Sequence, residues 1–594
     1  MLAMLLIGAC SDPPSSMDAA VDAATDSAPP DSLPPIEPTE PTPVAAPAPP
    51  ELGPCRTGWR AVMGPDFMEC DPWPEGGQEV CGPDEAHFPG EAGCRRIGDA
   101  CPVDGVPRDL PPDAIHVRAG ATDGDGTIGA PFGTIAEALA IVGSDAVIGL
   151  AVGTYPEESF IRDPSLTIVG ACTDTVIGPV GGTAFFAFGG TLTLRNMRIR
   201  EATGGVIARD GVVNLDSIIF EDLTDSAVST GGDASVVGQD LLVRRAGGDG
   251  VFLGGGQAVF DRFVLEDIRG HALTAVRAEL HASSIAIDVV AGLSAVFVSA
   301  VSATVTVEGA VMTSDPLAML IATDSSVHVA DAVLSAPPGS SPSEDQVTVL
   351  ALDASELELQ RVVLTRPTGL AIGVGGTGST AMMRDVVVRE MVGEGHGIEI
   401  GDGAQADLGR VWVDHAGRNA MLFYGAGTTA VAQDLHVLSS QPDSTGRWGR
   451  GIGVQTGADL TADRVLLEEH HEVSLVVASI GTRAAFTDLT IRDTRERPCG
   501  ASGCPTGGIG MGAYLGGSAQ VERFHIEHNA LLGFQVATGG ILELADGVVS
   551  HNPIGVNIQS VEYDIQLLTD RVEYRDNGQN LDSTELFVPA PATL

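Results

Sequence analysis

The chain of 594 residues has no lysine, so all 32 of its basic residues are arginines. Its 79 acidic residues outnumber them and leave a formal net charge of −47. Phosphate binding requires clustered positive charge, so this balance argues against nucleic acid as a partner. Aromatic residues make up only 4% of the chain, and beyond the N-terminus we find no uninterrupted apolar run of about 18 residues, the length that spans a bilayer.

Small residues take the place of the missing aromatic ones. The chain has 75 glycines, and 44% of its residues are hydrophobic. That apolar share is too high for a disordered chain of this charge. The composition therefore predicts a core built from small aliphatic side chains in a regular frame.

The N-terminus combines an apolar run, residues 2–7, with Gly8-Ala9-Cys10. This pattern resembles the lipobox of bacterial lipoproteins, although no basic residue precedes the run. The resemblance implies that residues 1–10 are a lipoprotein signal and that Cys10 is lipidated. Ser11 after the cysteine favours, by analogy with that family, the outer membrane. We therefore expect an exported protein, lipid-anchored to the bacterial outer membrane or cell surface.

Residues 11–54 are rich in proline, alanine and acidic side chains, which predicts a disordered linker. Residues 55–110 follow as a cysteine-rich module, and in an exported protein such cysteines predict disulfides. Eight cysteines other than Cys10 allow 105 pairings, and the sequence leaves the choice among them open. Our hypothesis is that Cys499 pairs with Cys504 and that Cys172 closes a bond to the module.

From about residue 190 a template recurs roughly every 21 to 25 residues, with short apolar segments of period two separated by turns. Leu192 and Leu194 open one copy, and Val213 and Leu215 open the next. Three such segments per copy predict an all-β, single-stranded parallel β-helix of about 15 coils over residues 146–575. Polar pairs such as Gln433-Asp434 are expected at tight exposed corners between the first two segments.

The segment before these repeats carries Gly126-Thr127, Pro131-Phe132, Thr134-Ile135, Ala138-Leu139 and Gly153-Thr154-Tyr155. These elements resemble the start of right-handed parallel β-helix proteins of the pectin-lyase-like superfamily. The resemblance implies a right-handed coil and, within residues 111–145, a capping helix that closes the open end. Residues 576–594 remain as a C-terminal tail. This fold hosts lyases, hydrolases, epimerases, adhesins and stalks, so the resemblance does not identify an activity.

Three coils carry insertions at the same phase, within residues 335–346, 439–451 and 493–508. Insertions on one face of a repeat protein commonly line a binding surface, although neutral loop drift explains them equally well. Tryptophan and arginine suit stacking on sugar rings and pairing with carboxylates. The predicted ligand-binding residues of this edge are Arg418, Arg447, Trp448, Arg450, Glu468, Glu469, His470 and His471.

Two short motifs on the same edge resemble parts of polysaccharide-cleaving enzymes. His396 lies in GHGIEIG, which resembles a polygalacturonase motif, and Asp414-His415 lies in VWVDH, which resembles a pectate lyase segment. The partner carboxylates and basic motifs of both families are missing. We therefore favour a non-catalytic binding or structural protein of the cell envelope that recognises polysaccharide. A polysaccharide lyase or glycoside hydrolase that uses His396, Asp414 and His415 is the alternative.

No cofactor and no metal site are predicted. The acidic segment DGDG at residues 123–126 could bind Ca²⁺, but a glycine-rich turn accounts for it equally well.

One further pattern consists of outward positions that carry apolar residues where polar residues are expected. Outward positions of the second segment form a stripe made of Ile219, Leu242, Val264, Val311, Val333, Val363, Val387, Trp412 and Leu466. The β-propensity of such residues explains the stripe by itself. Otherwise the N-terminal module covers it, or it is a partner surface.

Overall fold

Each repeat forms one turn of a parallel β-solenoid, because its short apolar segments pair with the same segments of the coils before and after it. The computed structural model describes residues 40–162, 165–289, 296–314, 320–339, 346–498 and 507–592. Over these residues, the chain from Pro41 onward winds about 17 turns. The predicted all-β parallel fold is therefore confirmed.

The first of the two sheets, sheet A, contains the longer strands of each coil. Its strands are Ile115–Val117, Ala146–Leu150, Gly153–Tyr155, Ser165–Gly170, Thr175–Ile177, Thr191–Arg200, Val212–Leu223, Ser235–Ala246, Gly256–Ile268, Ala278–Val289, Thr304–Ser314, Ser326–Ser335, Glu356–Thr365, Thr380–Arg389, Gln405–Asp414, Thr429–Leu438, Asp459–Glu468, Arg483–Arg492, Ser518–Glu527, Ile541–Ser550 and Asp570–Arg575.

The second sheet, sheet B, contains the shorter strand of each coil. Its strands are Ser159–Arg162, Thr183–Phe188, Gly204–Arg209, Val228–Gly231, Val251–Gly254, Leu273–Val276, Val298–Val301, Leu320–Thr323, Val347–Leu352, Leu370–Gly375, Ile398–Gly401, Asn419–Tyr424, Arg450–Gln455, Val473–Ala478, Ile509–Tyr514, Leu532–Ala537, Ile554–Ile558 and Gln579–Asp582.

The longer strands of sheet A bend in the middle. In Thr380–Arg389 the bend lies at Asp385, which has a φ of +58°, and in Gln405–Asp414 it lies at Arg410, with a φ of +52°. A single left-handed residue turns the chain without ending the strand pairing. The first two segments predicted for each coil are thus the two arms of one bent strand.

Inward side chains stack into one continuous core. Leu359, Met383 and Leu408 occupy the same position in three successive coils, and each is at most 1% exposed. The predicted capping helix covers Ile135–Leu139, and the buried side chains of Ile135 and Ala138 belong to this core. A reciprocal capping box between Thr134 and Glu137 fixes where the helix begins.

The cysteine-rich module contains two small antiparallel pairs, Arg60–Met63 with Met68–Asp71 and Glu85–Ala86 with Arg95–Arg96. Its disulfides join Cys55 to Cys70, Cys81 to Cys94, and Cys101 to Cys172. The last bond confirms the hypothesis that Cys172 ties the module to the solenoid. The proposed pair Cys499 and Cys504, the lipidation site Cys10 and the signal segment lie outside the described residues.

Residues 41–54 do not form the free linker predicted for residues 11–54. This segment, which we call the strap, lies along the bends of sheet A. Backbone N–H groups three residues apart donate to aspartates on alternate coils, from Thr42 to Asp546, Ala45 to Asp488, Ala48 to Asp434 and Glu51 to Asp385, over 2.7–3.1 Å. These corners, predicted to be exposed, are therefore covered.

The strap fits because the length of three residues of extended chain matches the height of two stacked coils. Three residues of an extended polyproline segment advance about 9.3 Å, and two stacked coils advance about 9.6 Å. Each aspartate under the strap also pairs with an arginine at the bend of the next coil; Asp434, for example, accepts hydrogen bonds from Arg464 at 2.7 and 2.9 Å. Alternating aspartates and arginines thus form a ladder whose members are Asp385, Arg410, Asp434, Arg464, Asp488, Arg523, Asp546 and Arg571.

The N-terminal segments also cover much of the apolar stripe. This confirms the alternative in which the N-terminal module covers the stripe. In the module, Phe88 and Ile97 pack on Ile219, Leu242 and Val264. Farther along the solenoid, Leu52 and Phe67 pack on a second cluster that contains Val363, Val387 and Trp412.

The C-terminal residues depart from the predicted tail. Gln579–Asp582 adds a last strand to sheet B after a short 3₁₀ helix at Ile565–Leu568. Leu586 and Val588 then pack on the outer side of sheet B. No helix among the described residues is both long enough and apolar enough to cross a membrane.

Candidate functional site

The predicted binding edge lies where the chain passes from a strand of sheet A to the next strand of sheet B. The insertion after Thr429–Leu438 is fully described, whereas the other two insertions are described in part. The structure therefore places this edge at one corner of the solenoid, with residues 439–449 as its best-defined loop.

His396 lies beneath this corner. Its side chain is 11% exposed, its Nδ1 contacts a carboxylate oxygen of Glu399, and its Nε2 lies 3.4 Å from the side-chain nitrogen of the buried Asn419. A ring enclosed in this way is held by its own chain. The structure thus gives His396 a supporting position rather than access to a polymer.

The second candidate pair is more open. His415 Nδ1 lies 2.7 Å from Asp414 Oδ1, and the His415 side chain is 53% exposed. Its φ of +53° places it on the turn that ends the sheet A strand. Asp414 and His415 are therefore together and accessible, but they contribute one carboxylate, whereas glycoside hydrolysis generally needs two.

The predicted arginines mainly hold the loop in place. Arg418 donates to Glu394 at 3.3 Å, and Glu394 also accepts from the Ser444 backbone N–H of the insertion at 2.6 Å. The hydrogen bonds from Ser444 hold the pKa of Glu394 below its ordinary value. This carboxylate is thus a structural tie between two coils.

A buried ion cluster supports the loop from below. Arg450 pairs with Glu472 at 2.9 Å, both residues are 2% exposed, and Arg497 reaches the same carboxylate at 3.3 Å. The ring of Trp448 lies over the Arg450 guanidinium, 4.4 Å from its central carbon. Trp448 therefore closes this cluster with one face, and Arg447 beside it is exposed.

The histidine and glutamate residues of EEHH have structural partners as well. His470 is fully buried, accepts from the Ser440 N–H at 3.3 Å and lies 2.9 Å from the Val437 carbonyl oxygen. Burial lowers the pKa of His470 to about 3, so the ring is neutral. His471 Nδ1 lies 3.0 Å from the Ser440 carbonyl oxygen. Its neighbours Glu468 and Glu469 pair with arginines of the next coil, at 3.0 and 2.8 Å.

The weak Ca²⁺ candidate at residues 123–126 is also used internally. Asp125 accepts from the Thr127 N–H at 3.0 Å and from its hydroxyl at 2.7 Å, which forms a tight turn.

Sequence reasoning missed a group of aromatic side chains on the outer face of sheet B. Phe160 and Phe186 stack with ring centroids 4.6 Å apart and planes at 2°, and Phe188 continues the row at 6.3 Å. Arg162 lies over the Phe188 ring at 5.2 Å, and the exposed Arg209 pairs with Phe188 in strand register. We call these five residues the platform. The segments SFIR and FFAF, one coil apart in a chain poor in aromatics, were the available signal.

The comparisons with known proteins yield little. No family model matches the chain, and no curated protein matches it significantly. One solved structure, the catalytic domain of a GH87 alpha-1,3-glucanase in complex with tetrasaccharides, is 8% identical, with a TM-score of 0.14. The alignment covers 73% of this chain and 64% of the length of that structure. A TM-score this low carries no functional argument.

Proposed function

We propose that this chain is an exported β-solenoid, lipid-anchored through Cys10, that binds polysaccharide without cleaving it. The observation that carries the proposal is the platform, a stacked row of phenylalanines flanked by arginines on an open sheet. Three disulfides suit an oxidising compartment and support export. The similarity of the first coil to pectin-lyase-like proteins fits the same proposal.

The platform has the chemistry that sugar binding uses. The C–H faces of sugar rings pack on aromatic rings, and arginine donates to hydroxyl or carboxylate oxygens. Phe160 is 54% exposed, whereas the apolar side chains of Val387 and Trp412 on the outer face of sheet A are at most 8% exposed. Phe160 and Phe186 lie on two successive coils, so an extended polymer that follows the solenoid axis would meet these two rings in turn. At the insertion loop, Arg447 and the edge of Trp448 supply a second, smaller contact of the same type.

Binding rather than cleavage is favoured by the surroundings of the predicted catalytic groups. His396 is enclosed with Glu399, and the nearby carboxylates of Glu394 and Glu472, which were not predicted as catalytic, are bound by arginines. Asp414 and His415 alone do not supply the two carboxylates of a hydrolase.

A glycan array of neutral and acidic polysaccharides, probed with the full-length chain, tests the proposal. Each stacked contact is worth about 0.5–1.5 kcal/mol, so the double variant Phe160→Ala/Phe186→Ala should lose about tenfold or more in affinity. Phe252→Ala is the matched control, because Phe252 is an exposed phenylalanine of sheet B outside the stacked row.

Three results would contradict it. Retained binding by the double variant would remove the platform from recognition. Release of reducing ends or unsaturated products that is lost in His415→Ala would establish the enzymatic alternative. Absence of binding to every glycan would contradict recognition of polysaccharide and favour a purely structural role as a stalk.

A further inference from the structure

We propose that Glu527, His528 and His551 form a binding site for a divalent transition-metal ion of the zinc type. The site lies where the strands Ser518–Glu527 and Ile541–Ser550 end, with Glu527 as the last residue of its strand and the two histidines on the turns that follow. It is independent of polysaccharide binding.

Two histidines occupy the same position on adjacent coils. His528 and His551 each directly follow a sheet A strand, with φ values of +55° and +57°. Their ring centroids are 4.8 Å apart and the ring planes differ by 16°. Because the coils are stacked in register, the solenoid itself brings the two imidazoles together.

A carboxylate lies beside the two rings. Glu527 Oε2 is 3.4 Å from His528 Nδ1, and one ligand atom from each of Glu527, His528 and His551 lies within 4.8 Å of the others. Zinc ligands at about 2.0–2.2 Å in a tetrahedron are separated by about 3.4 Å. The His528 and His551 side chains are 52% and 48% exposed, so small rotations can close the remaining gap.

Further groups complete the surroundings. His525 Nε2 lies 3.3 Å from Glu527 Oε2, and Asp576 Oδ2 lies 3.9 Å from His551 Nε2. A carboxylate next to a ligating imidazole orients the ring and raises its basicity. Asp576 occupies the same turn in the next coil, with a φ of +55°. The three ligands leave a coordination position for water or an anionic group.

The donor set determines the class of ion. Two imidazoles and one carboxylate suit Zn²⁺ and its neighbours in the transition series, whereas Ca²⁺ and Mg²⁺ prefer oxygen ligands throughout. The net charge of −47 also favours cation binding in general.

An earlier turn provides a matched control. His415 has the same left-handed turn position as His528 and also follows an acidic residue, Asp414 in place of Glu527. The corresponding turn residue of the next coil is Ser439 instead of a second histidine. Substitution of His415 therefore tests whether one exposed histidine next to a carboxylate is sufficient to bind Zn²⁺.

The experiment is a calorimetric titration of Zn²⁺ into the full-length chain after treatment with a chelator. We expect binding that weakens at least thirtyfold in His528→Ala/His551→Ala and about tenfold in Glu527→Gln, since carboxylate ligands contribute less than the pair of imidazoles. His415→Ala should bind as the unaltered chain does. Zn²⁺ should also raise the melting temperature of the unaltered chain but not of the double variant.

Because the three substituted histidines are about half exposed and Glu527→Gln keeps the shape of its side chain, the variants should melt at the unaltered temperature without metal, which separates lost binding from lost folding. Unchanged affinity in the double variant, or an equal loss in His415→Ala, would overturn the proposal. So would the absence of Zn²⁺ binding by the unaltered chain.

Discussion

An apolar row on the outer face of sheet A is covered by other parts of the chain, whereas the platform on the outer face of sheet B is exposed. On sheet A, Val387 and Trp412 are covered by the strap and the module and are at most 8% exposed. On sheet B, Phe160 is 54% exposed. Both rows arise from the same regular stacking, so the pattern of apolar residues does not distinguish them. The difference shows that an outward apolar row becomes a candidate binding surface only where no other part of the chain covers it.

The largest expected effect comes from removing a covered side chain. Trp412 packs edge-on to Phe67 at 5.2 Å and stacks on His436 at 4.7 Å. Trp412→Ala should destabilise the folded chain by about 3–5 kcal/mol, because it opens a cavity under the strap. Thermal and urea unfolding measure the loss.

Phe160→Ala is the control on the uncovered face and should cost about 1 kcal/mol or less. Similar losses in the two variants would mean that the two faces are equally buried, and the comparison would fail.

A second prediction concerns pH and the ladder beneath the strap. The hydrogen bond from Arg523 lowers the pKa of Asp488 more than burial raises it, and the hydrogen bond from the Ala45 N–H lowers this pKa further. A carboxyl whose folded pKa is depressed stabilises the fold fully above its unfolded pKa of about 3.9, and this contribution is lost as the pH falls through the folded value.

Asp488→Asn should therefore cost about 1.5–3 kcal/mol at pH 6, the range for hydrogen bonds to charged groups, and progressively less below pH about 4. Urea unfolding of both chains across this range measures the difference. A cost that stays constant with pH would show that the charge of Asp488 is not what holds Arg523 and the strap.

The smallest expected effect tests the phase of the strap. Ala48→Pro removes the N–H that donates to Asp434 at 2.8 Å and should weaken local attachment by about 1 kcal/mol, or about fivefold in the exchange rate of strap amides. Hydrogen exchange followed by mass spectrometry measures the effect.

Ala46→Pro is the matched substitution, since Ala46 is exposed and lies off the three-residue phase. It should leave exchange nearly unchanged, because proline favours the extended conformation that the strap already has. Equal acceleration by both substitutions would contradict a strap held at every third residue.

More of the fold than of the candidate site could be predicted from the sequence. The period of the coils could be predicted because it depends on local pattern. The cap at Ile135–Leu139 followed from the resemblance to pectin-lyase-like proteins, and the bond from Cys172 to the module was a hypothesis among the open cysteine pairings. The surroundings of the predicted binding edge could not be derived in the same way. Register placed its residues near one another, but opposite charges on neighbouring coils then paired, as in Arg450 with Glu472.

The strap shows why the linker prediction did not extend to residues 41–54. A proline-rich composition predicts only that the segment has no core of its own; it does not predict whether the segment packs on another part of the chain. Its order depends on a surface with an acceptor on every second coil, spaced to match three residues of extended chain.

The amino-acid pattern alone is sufficient to predict a solenoid of stacked parallel coils, since a short period of small aliphatic residues can bury its apolar side only against its own neighbours. Which outward residues are available depends on how the rest of the chain packs on the solenoid. Coverage by the strap, the module and the C-terminal segment, together with ion pairing between coils, left the platform open. The stacking of coils in register also placed His528 and His551, which are 23 residues apart in sequence, side by side.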